Sequence, residues 1–469
     1  MCMRARLAVF ATVLAVGASA CGQPAPAPNF VVISVDTLRR DALRAYDSGA
    51  PALPHLDALA ARSVRFTHAL APAAWTLPSH ASLLTGVYPN RHGAVHRDAT
   101  IARAAPALAG LLSRRGYETV AFTDGGFLDT TYGFGRGFER FDDRLSRGIA
   151  PLPGLPRDGK PGEAGDSDLF ARADAYLARR ALGRPLFLFA HTYAVHDYYQ
   201  AHAWARPPAG GDSAADGARN LACLVGKARC TPEQWTALGG YYRGELRRLD
   251  DAVGRLLAAT RQALGDRPTY VVLLSDHGEG LDPSSGATHH GGALSREVVA
   301  VPLLVAGPRL TARDVATPVS LVDVAPTLLA LAGGDSPRRG RFDGRSLVPL
   351  LGGGARASLA ALVLGRRSLR AEEHSYWWRD GRRYAARQAG TRPVTVGLLR
   401  HGWWYSRGPA GELAERLTGE GSGPPPLPAL RRAAAPLLRA AAVTTAPHEE
   451  SAELRATLQS LGYGGGGAP

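Results

Sequence analysis

An α/β fold with a mostly parallel sheet sandwiched by helices, and a smaller C-terminal α+β subdomain, is predicted by three observations. Short apolar, β-branched runs alternate with longer amphipathic stretches, the pattern of a parallel sheet covered on both faces. Asp or His follows several of those runs directly. Near Leu351 the texture shifts to paired aromatics, Trp377-Trp378 and Trp403-Trp404-Tyr405.

The elements follow in order. Arg4 and Arg6 precede an apolar run, Leu7 to Val16, then Ala18-Ser19-Ala20 and Cys21, the pattern of a secretory signal. The run is shorter than the about 20 apolar residues a membrane span needs. Cys21 after small residues resembles a bacterial lipobox, although Ala18 stands where Leu is commonest, so Cys21 is expected to carry lipid. Gly22 rather than Asp favours the outer membrane; an ordinary cleaved signal peptide is the alternative. Pro24, Pro26 and Pro28 form a stiff tether. Strands are expected at Phe30–Val35, Thr119–Phe122, Leu186–Ala190, Tyr270–Leu274 and Val301–Val305. Helices are expected at Pro54–Arg62, Ala104–Arg115, Asp168–Leu182 and Glu233–Gln262. Ser146–Asp166, rich in Pro and Gly, reads as a surface loop. Pro447–Leu461 reads as a final helix. The chain thus divides into a signal (1–20), a lipidated tether (21–29), a large domain (30–350), a subdomain (351–463) and a Gly-rich tail (464–469).

Four cysteines are present, and Cys2 falls in the discarded segment. With Cys21 lipidated, Cys223 and Cys230 remain, and an oxidising compartment lets them pair; two buried free thiols are the alternative. The formal charge of +14 comes almost wholly from Arg, Lys160 and Lys227 being the only lysines. Arg scattered without a clustered basic helix argues against nucleic acid and fits an anionic substrate or a membrane surface.

The chemistry-bearing residues gather at one edge. Asp36 follows the first predicted strand, Asp124 the second, His191 and His196 the third, and Asp276-His277 the fourth. Ligands of open α/β sheets bind outside the carboxyl ends of the strands. Thr76 suits the N-cap of a helix ending at Gly86, where the dipole and free N–H groups favour an alkoxide or a bound anion.

The segment Trp75-Thr76-Leu77-Pro78-Ser79-His80 through Thr85-Gly86 resembles the sulfatase pattern, in which Cys or Ser precedes a Pro and then an Arg. Val35 to Asp41, His196-Asp197-Tyr198-Tyr199, Ser275-Asp276-His277-Gly278-Glu279 and His290-Gly291 before Val301-Pro302-Leu303 resemble the same family in order. Asp323 with Pro326-Thr327, Asp343-Gly344-Arg345 and Leu461-Gly462-Tyr463 extend the series. The resemblance implies an alkaline-phosphatase-like fold and a sulfatase-like hydrolase or transferase. Sulfatases oxidise Cys or Ser to formylglycine; Thr76 departs from that pattern, because its oxidation gives a ketone that hydrates poorly. His80 replaces the family Arg, and Thr123-Asp124-Gly125 stands where a lysine is usual.

Phosphoethanolamine and glycerophosphate transferases of the same superfamily use Thr as nucleophile and have Asp-His at the fourth-strand motif. By that analogy Asp36, Thr76, Asp276 and His277 hold one divalent ion, with Thr76, His196, His290 and His80 as catalytic groups. Three oxygens and an imidazole suit Mn²⁺, Zn²⁺ or Mg²⁺, with Ca²⁺ a poorer match. The expected substrate is an anionic small-molecule, lipid or glycan ester of phosphate or sulfate. Two alternatives stand beside this one: a sulfuric ester hydrolase acting without formylglycine, and a binding lipoprotein on the same scaffold. His191 and His289 are further candidates. Arg39, Arg40 and Arg97 are expected on solvated faces, and Glu245 and Asp250 as structural.

Overall fold

The computed structural model describes residues 26–144, 165–181, 183–200, 213–224, 228–282, 287–291, 294–333, 340–373, 395–408, 411–417, 423–440 and 444–458, apart from 446–447 and 449. The signal, Cys21, Trp377-Trp378, Pro447, the Leu461-Gly462-Tyr463 ending, the Gly-rich tail and most of the 146–166 loop lie outside these residues.

A central sheet of eight strands organises the large domain: β1 (Asn29–Val35), β2 (Val64–Phe66), β3 (Glu118–Phe122), β4 (Arg140–Asp142), β5 (Leu186–Thr192), β6 (Thr269–Leu274), β7 (Leu303–Ala306) and β8 (Arg313–Val315). Their spatial order is β8-β2-β7-β6-β1-β5-β3-β4. All pairs are parallel except those of β7 with β6 and with β2. Alternate side chains of β1 feed two cores: Phe30 and Val32 join one, Val31, Ile33 and Val35 the other. Both faces are therefore covered, which is why the strand reads as an unbroken apolar run.

The helix Pro232–Leu264 closes one face. Thr231 accepts from the Gln234 amide at 3.2 Å and the Gln234 side chain accepts from the Thr231 amide at 2.8 Å, a reciprocal cap with Pro232 in the first turn. Its Leu238, Tyr242, Leu246, Leu249, Val253 and Leu256 are buried at three- and four-residue spacing against the sheet. Asp250 on this helix accepts from the His55 and Leu56 amides and so caps the helix Pro54–Ala60, whose N-cap Leu53 has no side-chain acceptor. Cys223 and Cys230 form a disulfide just before the long helix, with Cα atoms 5.2 Å apart.

Several expected elements differ from what the fold contains: the helix expected at Ala104–Arg115 runs Leu108–Ser113, and that expected at Asp168–Leu182 runs Gly165–Leu177. The run Val301–Val305 is broken at Pro302, which has no N–H to give a ladder. Ala300–Val301 pairs instead with Ala69–Leu70 in a small separate sheet, and β7 joins the main sheet antiparallel. The last described helix starts at Ala452, with the Ser451 hydroxyl accepting from the Leu454 amide at 3.0 Å.

The C-terminal sheet is antiparallel: β9 (Leu369–Glu373), β10 (Thr395–Arg400), β11 (Trp403–Gly408) and β12 (Gly411–Arg416). His401 and Gly402, with φ of 50° and 81°, form the tight turn between β10 and β11. Trp403 and Tyr405 face the helix Leu427–Arg439; Trp404 faces the large domain, packs with Leu70 and Val298, and donates to the Leu294 carbonyl at 3.0 Å. Leu364, just before the sheet, lies in the core of the large domain, and so do Leu454 and Leu458 after it, so the chain returns to that domain. No helix among the described residues is long and apolar enough to cross a membrane.

Candidate active site

The ends of β1, β5 and β6 and the start of the helix Thr76–Thr85 bring the predicted residues together. Trp75, in extended conformation, holds the N-cap position, and Thr76 is the first helical residue, one place further in than expected. Thr76 Oγ1 is thereby turned from capping to Asp36 Oδ2, to which it donates at 3.0 Å. Gly86 ends the helix in the left-handed region at φ 70°.

Thr37, a β-branched residue at φ 54°, turns the chain sharply after Asp36. Several bonds hold it there. Its hydroxyl donates to the Asp36 carbonyl at 2.7 Å, Tyr242 donates to the Thr37 carbonyl at 3.0 Å, and the Leu38 and Arg39 amides donate to Ser275 Oγ and Tyr242 Oη.

Around Asp36 the side chains form a closed belt. Ring centroids run from His80 to His191 at 4.7 Å, to Tyr193 at 4.7 Å, to His196 at 5.5 Å, to His290 at 5.1 Å and to His277 at 4.6 Å. Asp276 Oδ2 closes it, 3.3 Å from His277 Nε2 and 3.2 Å from His80 Nδ1. Asp36 sits inside, its Oδ1 3.6 Å from His277 and its Oδ2 3.5 Å from His191. Asp36, Thr76, His80, His191, Asp276 and His277 are fully buried.

Buried polar atoms are normally hydrogen-bonded. Here Asp36 Oδ1, both Asp276 carboxylate oxygens, His277 Nε2 and both nitrogens of His191 lack a hydrogen-bond partner. The His277 Nδ1 faces the Gly278 carbonyl at 3.0 Å, so that nitrogen bears the proton and Nε2 presents a lone pair to the carboxylates. Asp36, Asp276 and His277 can place ligand atoms within 4.8 Å of one another. Partnerless carboxylate oxygens beside an imidazole lone pair fit a divalent cation.

Charge effects agree with a crowded anionic pocket. Burial alone would raise the Asp36 carboxyl, but His277, His191 and His196 outweigh it and hold it far below the usual carboxylate range. Burial opposes a charge on His277, yet Asp276 and Asp36 raise its affinity for a proton. Burial lowers His191, against the pull of Asp36. His196, 3.1 Å from Asp197 Oδ1, is raised by that partner and by Asp36 despite its burial. Burial and the neighbouring His289 push His290 down to about 3.

Other expectations resolve differently. Both nitrogens of His80 are committed within the protein, Nε2 facing Ser34 Oγ at 2.9 Å and Nδ1 the Thr76 carbonyl at 3.0 Å. His80 Nδ1 also lies 3.2 Å from Asp276 Oδ2, so the ring sits between Thr76 and Asp276. Arg39, Arg40 and Arg97 are not on solvated helix faces: they bond Asp41 and the Glu279 carbonyl, the Thr67 carbonyl, and Glu450. Asp124 accepts from the Tyr193 amide at 3.2 Å. Asp343 holds the Tyr88 amide and Arg91, each at 2.9 Å. Sequence reasoning passed over Tyr193, Ser34 and the role of Glu279, whose Oε2 receives His290 Nδ1 at 2.7 Å. Glu279 alone left a signal, the acidic residue two places after His277.

A mostly parallel sheet with Asp, Thr, Asp and His converging at its carboxyl edge defines an ester-hydrolase class. The Sulfatase family model matches residues 28–334, and the chain belongs to the sulfatase family. It is 32% identical to mouse (Mus musculus) steryl-sulfatase, over 75% of this chain and 70% of that protein. It is 28% identical to the choline-sulfatase of Rhizobium meliloti, over 70% and 72% of the two chains. The fold is shared with the phosphonate monoester hydrolase of Agrobacterium radiobacter, at a TM-score of 0.63 and 22% identity over 83% of this chain and 89% of that one. The chain is an ester hydrolase.

Proposed function

We propose that this protein cleaves an anionic sulfate or phosphate ester by transfer to Thr76, using a divalent cation held by Asp36, Thr76, Asp276 and His277. The observation that supports this most is the Thr76 hydroxyl at 3.0 Å from a carboxylate whose other oxygen is buried without a partner. A divalent ion in that place lowers the pKa of the hydroxyl and offsets the repulsion between carboxylates and an incoming anion.

The protein's own groups supply the rest. Thr76 Oγ1, held by Asp36, would lose its proton to solvent when the cation binds, and as the alkoxide it forms the new bond to sulfur or phosphorus while the bond to the ester oxygen breaks. His196, oriented by Asp197, gives its proton to the departing oxygen and becomes the neutral base for the second step. His290, neutral through burial and with its Nδ1 proton donated to Glu279, keeps Nε2 as an acceptor, suited to the hydroxyl of the incoming water or acceptor alcohol. Water or an acceptor alcohol then takes the group from Thr76. Since a threonine cannot become formylglycine, release proceeds by substitution at the transferred group.

The relatives named as sulfatases favour a sulfate ester among these substrates. The fold neighbour named as a phosphonate monoester hydrolase keeps phosphorus esters in view. The N-terminal segment supports export and a lipid anchor at Cys21, and the Cys223–Cys230 disulfide suits an oxidising compartment.

The test is turnover of aryl sulfate, aryl phosphate and aryl phosphodiester by wild type and Thr76→Ala. The reading predicts metal-dependent turnover of at least one ester and its loss in Thr76→Ala. Full activity in Thr76→Ala contradicts it.

A further inference from the structure

Two residues beyond His277 lies a second group of ligating side chains that the chemistry above leaves mostly unused. Glu279 is fully buried, with Oε2 2.7 Å from His290 Nδ1 and Oε1 3.4 Å from His289 Nδ1. One ligand atom from each of the three lies within 4.8 Å of the others. A proton shared with His290 accounts for Oε2. Oε1 and His289 Nδ1 face only each other at 3.4 Å, and both are buried without a hydrogen bond. A buried carboxylate oxygen left so is costly unless it is neutralised.

The backbone fixes this group. Gly280–Asp282 and Ala287–His289 pair antiparallel with Gly280 opposite His289, which sets Glu279 beside the two histidines. One end is tied by the Gly278 amide to the Val298 carbonyl at 2.7 Å; a Cβ at Gly278 would come 2.0 Å from the Glu297 carbonyl oxygen. The other end is tied by the Gly291 amide to the Ala74 carbonyl at 2.9 Å, two residues before Thr76. The His277 and His290 rings lie 4.6 Å apart and 33° from parallel, so the two groups of ligands abut.

The geometry points to a second cation site, formed by Glu279 Oε1, His289 Nδ1 and His290 Nδ1, next to the site at Asp36. Its donor set differs from that of its neighbour. Two imidazoles and one carboxylate, with a fourth position left for water or a substrate oxygen, make the ligand set of an open zinc site. The site at Asp36 offers three oxygens and one imidazole and accepts harder ions. On binding, the His290 Nδ1 proton passes to buffer as its lone pair turns to the metal, so uptake releases about one proton. A second positive centre there serves an anionic ester by neutralising an oxygen that the Asp36 site does not face. This goes beyond the Thr76 reading and fails separately from it.

Zinc stoichiometry is the test. Chelator-stripped full-length protein is dialysed against Zn²⁺, desalted and measured by elemental mass spectrometry, with Co²⁺ absorption as a second readout. Wild type is expected to hold two zinc ions per chain. Glu279→Gln and His289→Asn are each expected to hold one, and so is the double variant Asp36→Asn/Asp276→Asn. His289→Asn guards against misfolding: its side chain is 15% exposed, and Asn tolerates the φ of 61° found there. One zinc ion in wild type that both Glu279→Gln and His289→Asn keep, or two retained in both variants, overturns the inference. Unchanged zinc in Asp36→Asn/Asp276→Asn overturns the Asp36 site and leaves this one standing.

Discussion

Asp36 and Asp323 are both carboxylates with no exposed surface, and the fold treats them in opposite ways. Asp323 Oδ1 accepts from the Arg345 amide at 2.8 Å and Arg367 Nη1 at 2.7 Å; its Oδ2 accepts from the Ser320 amide at 2.9 Å and from Arg367 Nη2. Each of its oxygens is filled by protein donors. Asp36 keeps one oxygen with no hydrogen-bond partner and gives the other to the Thr76 hydroxyl. Asp276, one strand away, is emptier still. The two carboxylates therefore answer different needs. Asp323 ties the Arg345 and Arg367 segments to the large domain, while Asp36 and Asp276 hold capacity in reserve for a positive centre.

Substitutions sharpen that contrast. Asp36→Asn is expected to cost about 10³-fold or more in turnover, on the scale of losing a member of a catalytic unit. In chelated protein it should lower the melting temperature only slightly, because it gives up the attraction of His277, His191 and His196 for the carboxylate but also the cost of burying that charge. A large drop in melting temperature there would make Asp36 a structural residue. Asp323→Ala should do the reverse. It leaves Arg367, which is mostly buried, without its partner and costs about 3–5 kcal/mol of stability in denaturant unfolding, with turnover per folded molecule retained. Away from both, Cys223→Ser opens a short loop. It should cost about 2 kcal/mol, less than the about 3 expected for a fifteen-residue loop, and equal unfolding midpoints with and without reductant would refute that. Thr231→Ala removes half of the reciprocal cap on the long helix and should cost about 1 kcal/mol in the same assay.

The contrast also marks what the sequence makes visible. The strands carrying Asp36, His191 and Asp276 are apolar on both faces, so their bounds and the polar rim behind them could be read with little error. The break at Pro302 was in plain view, but an apolar run on either side hid it, and only pairing shows that the two halves join different sheets. Thr76 looked like a cap because a hydroxyl before a helix usually is one; that Trp75 takes the position depends on the fold of the preceding loop. Asp323 and Asp36 are alike as letters. Which of them is satisfied depends on Arg367 and Ser320, and Arg367 reaches Asp323 from 44 residues away. Tyr193 and Ser34 acquire their partners only when distant segments meet, 66 and 46 residues away, whereas Glu279 meets His290 across a hairpin 11 residues on. The return of Leu454 and Leu458 to the large core had no local signal at all.

Mass spectrometry of the acid-quenched reaction tests the account most directly. During turnover of the ester found to be a substrate, the peptide containing Thr76 should carry a phosphoryl or sulfo group on that residue, absent in Thr76→Ala and in Asp36→Asn. Turnover with an unmodified Thr76 peptide, with the group found on another residue or on none, would contradict it.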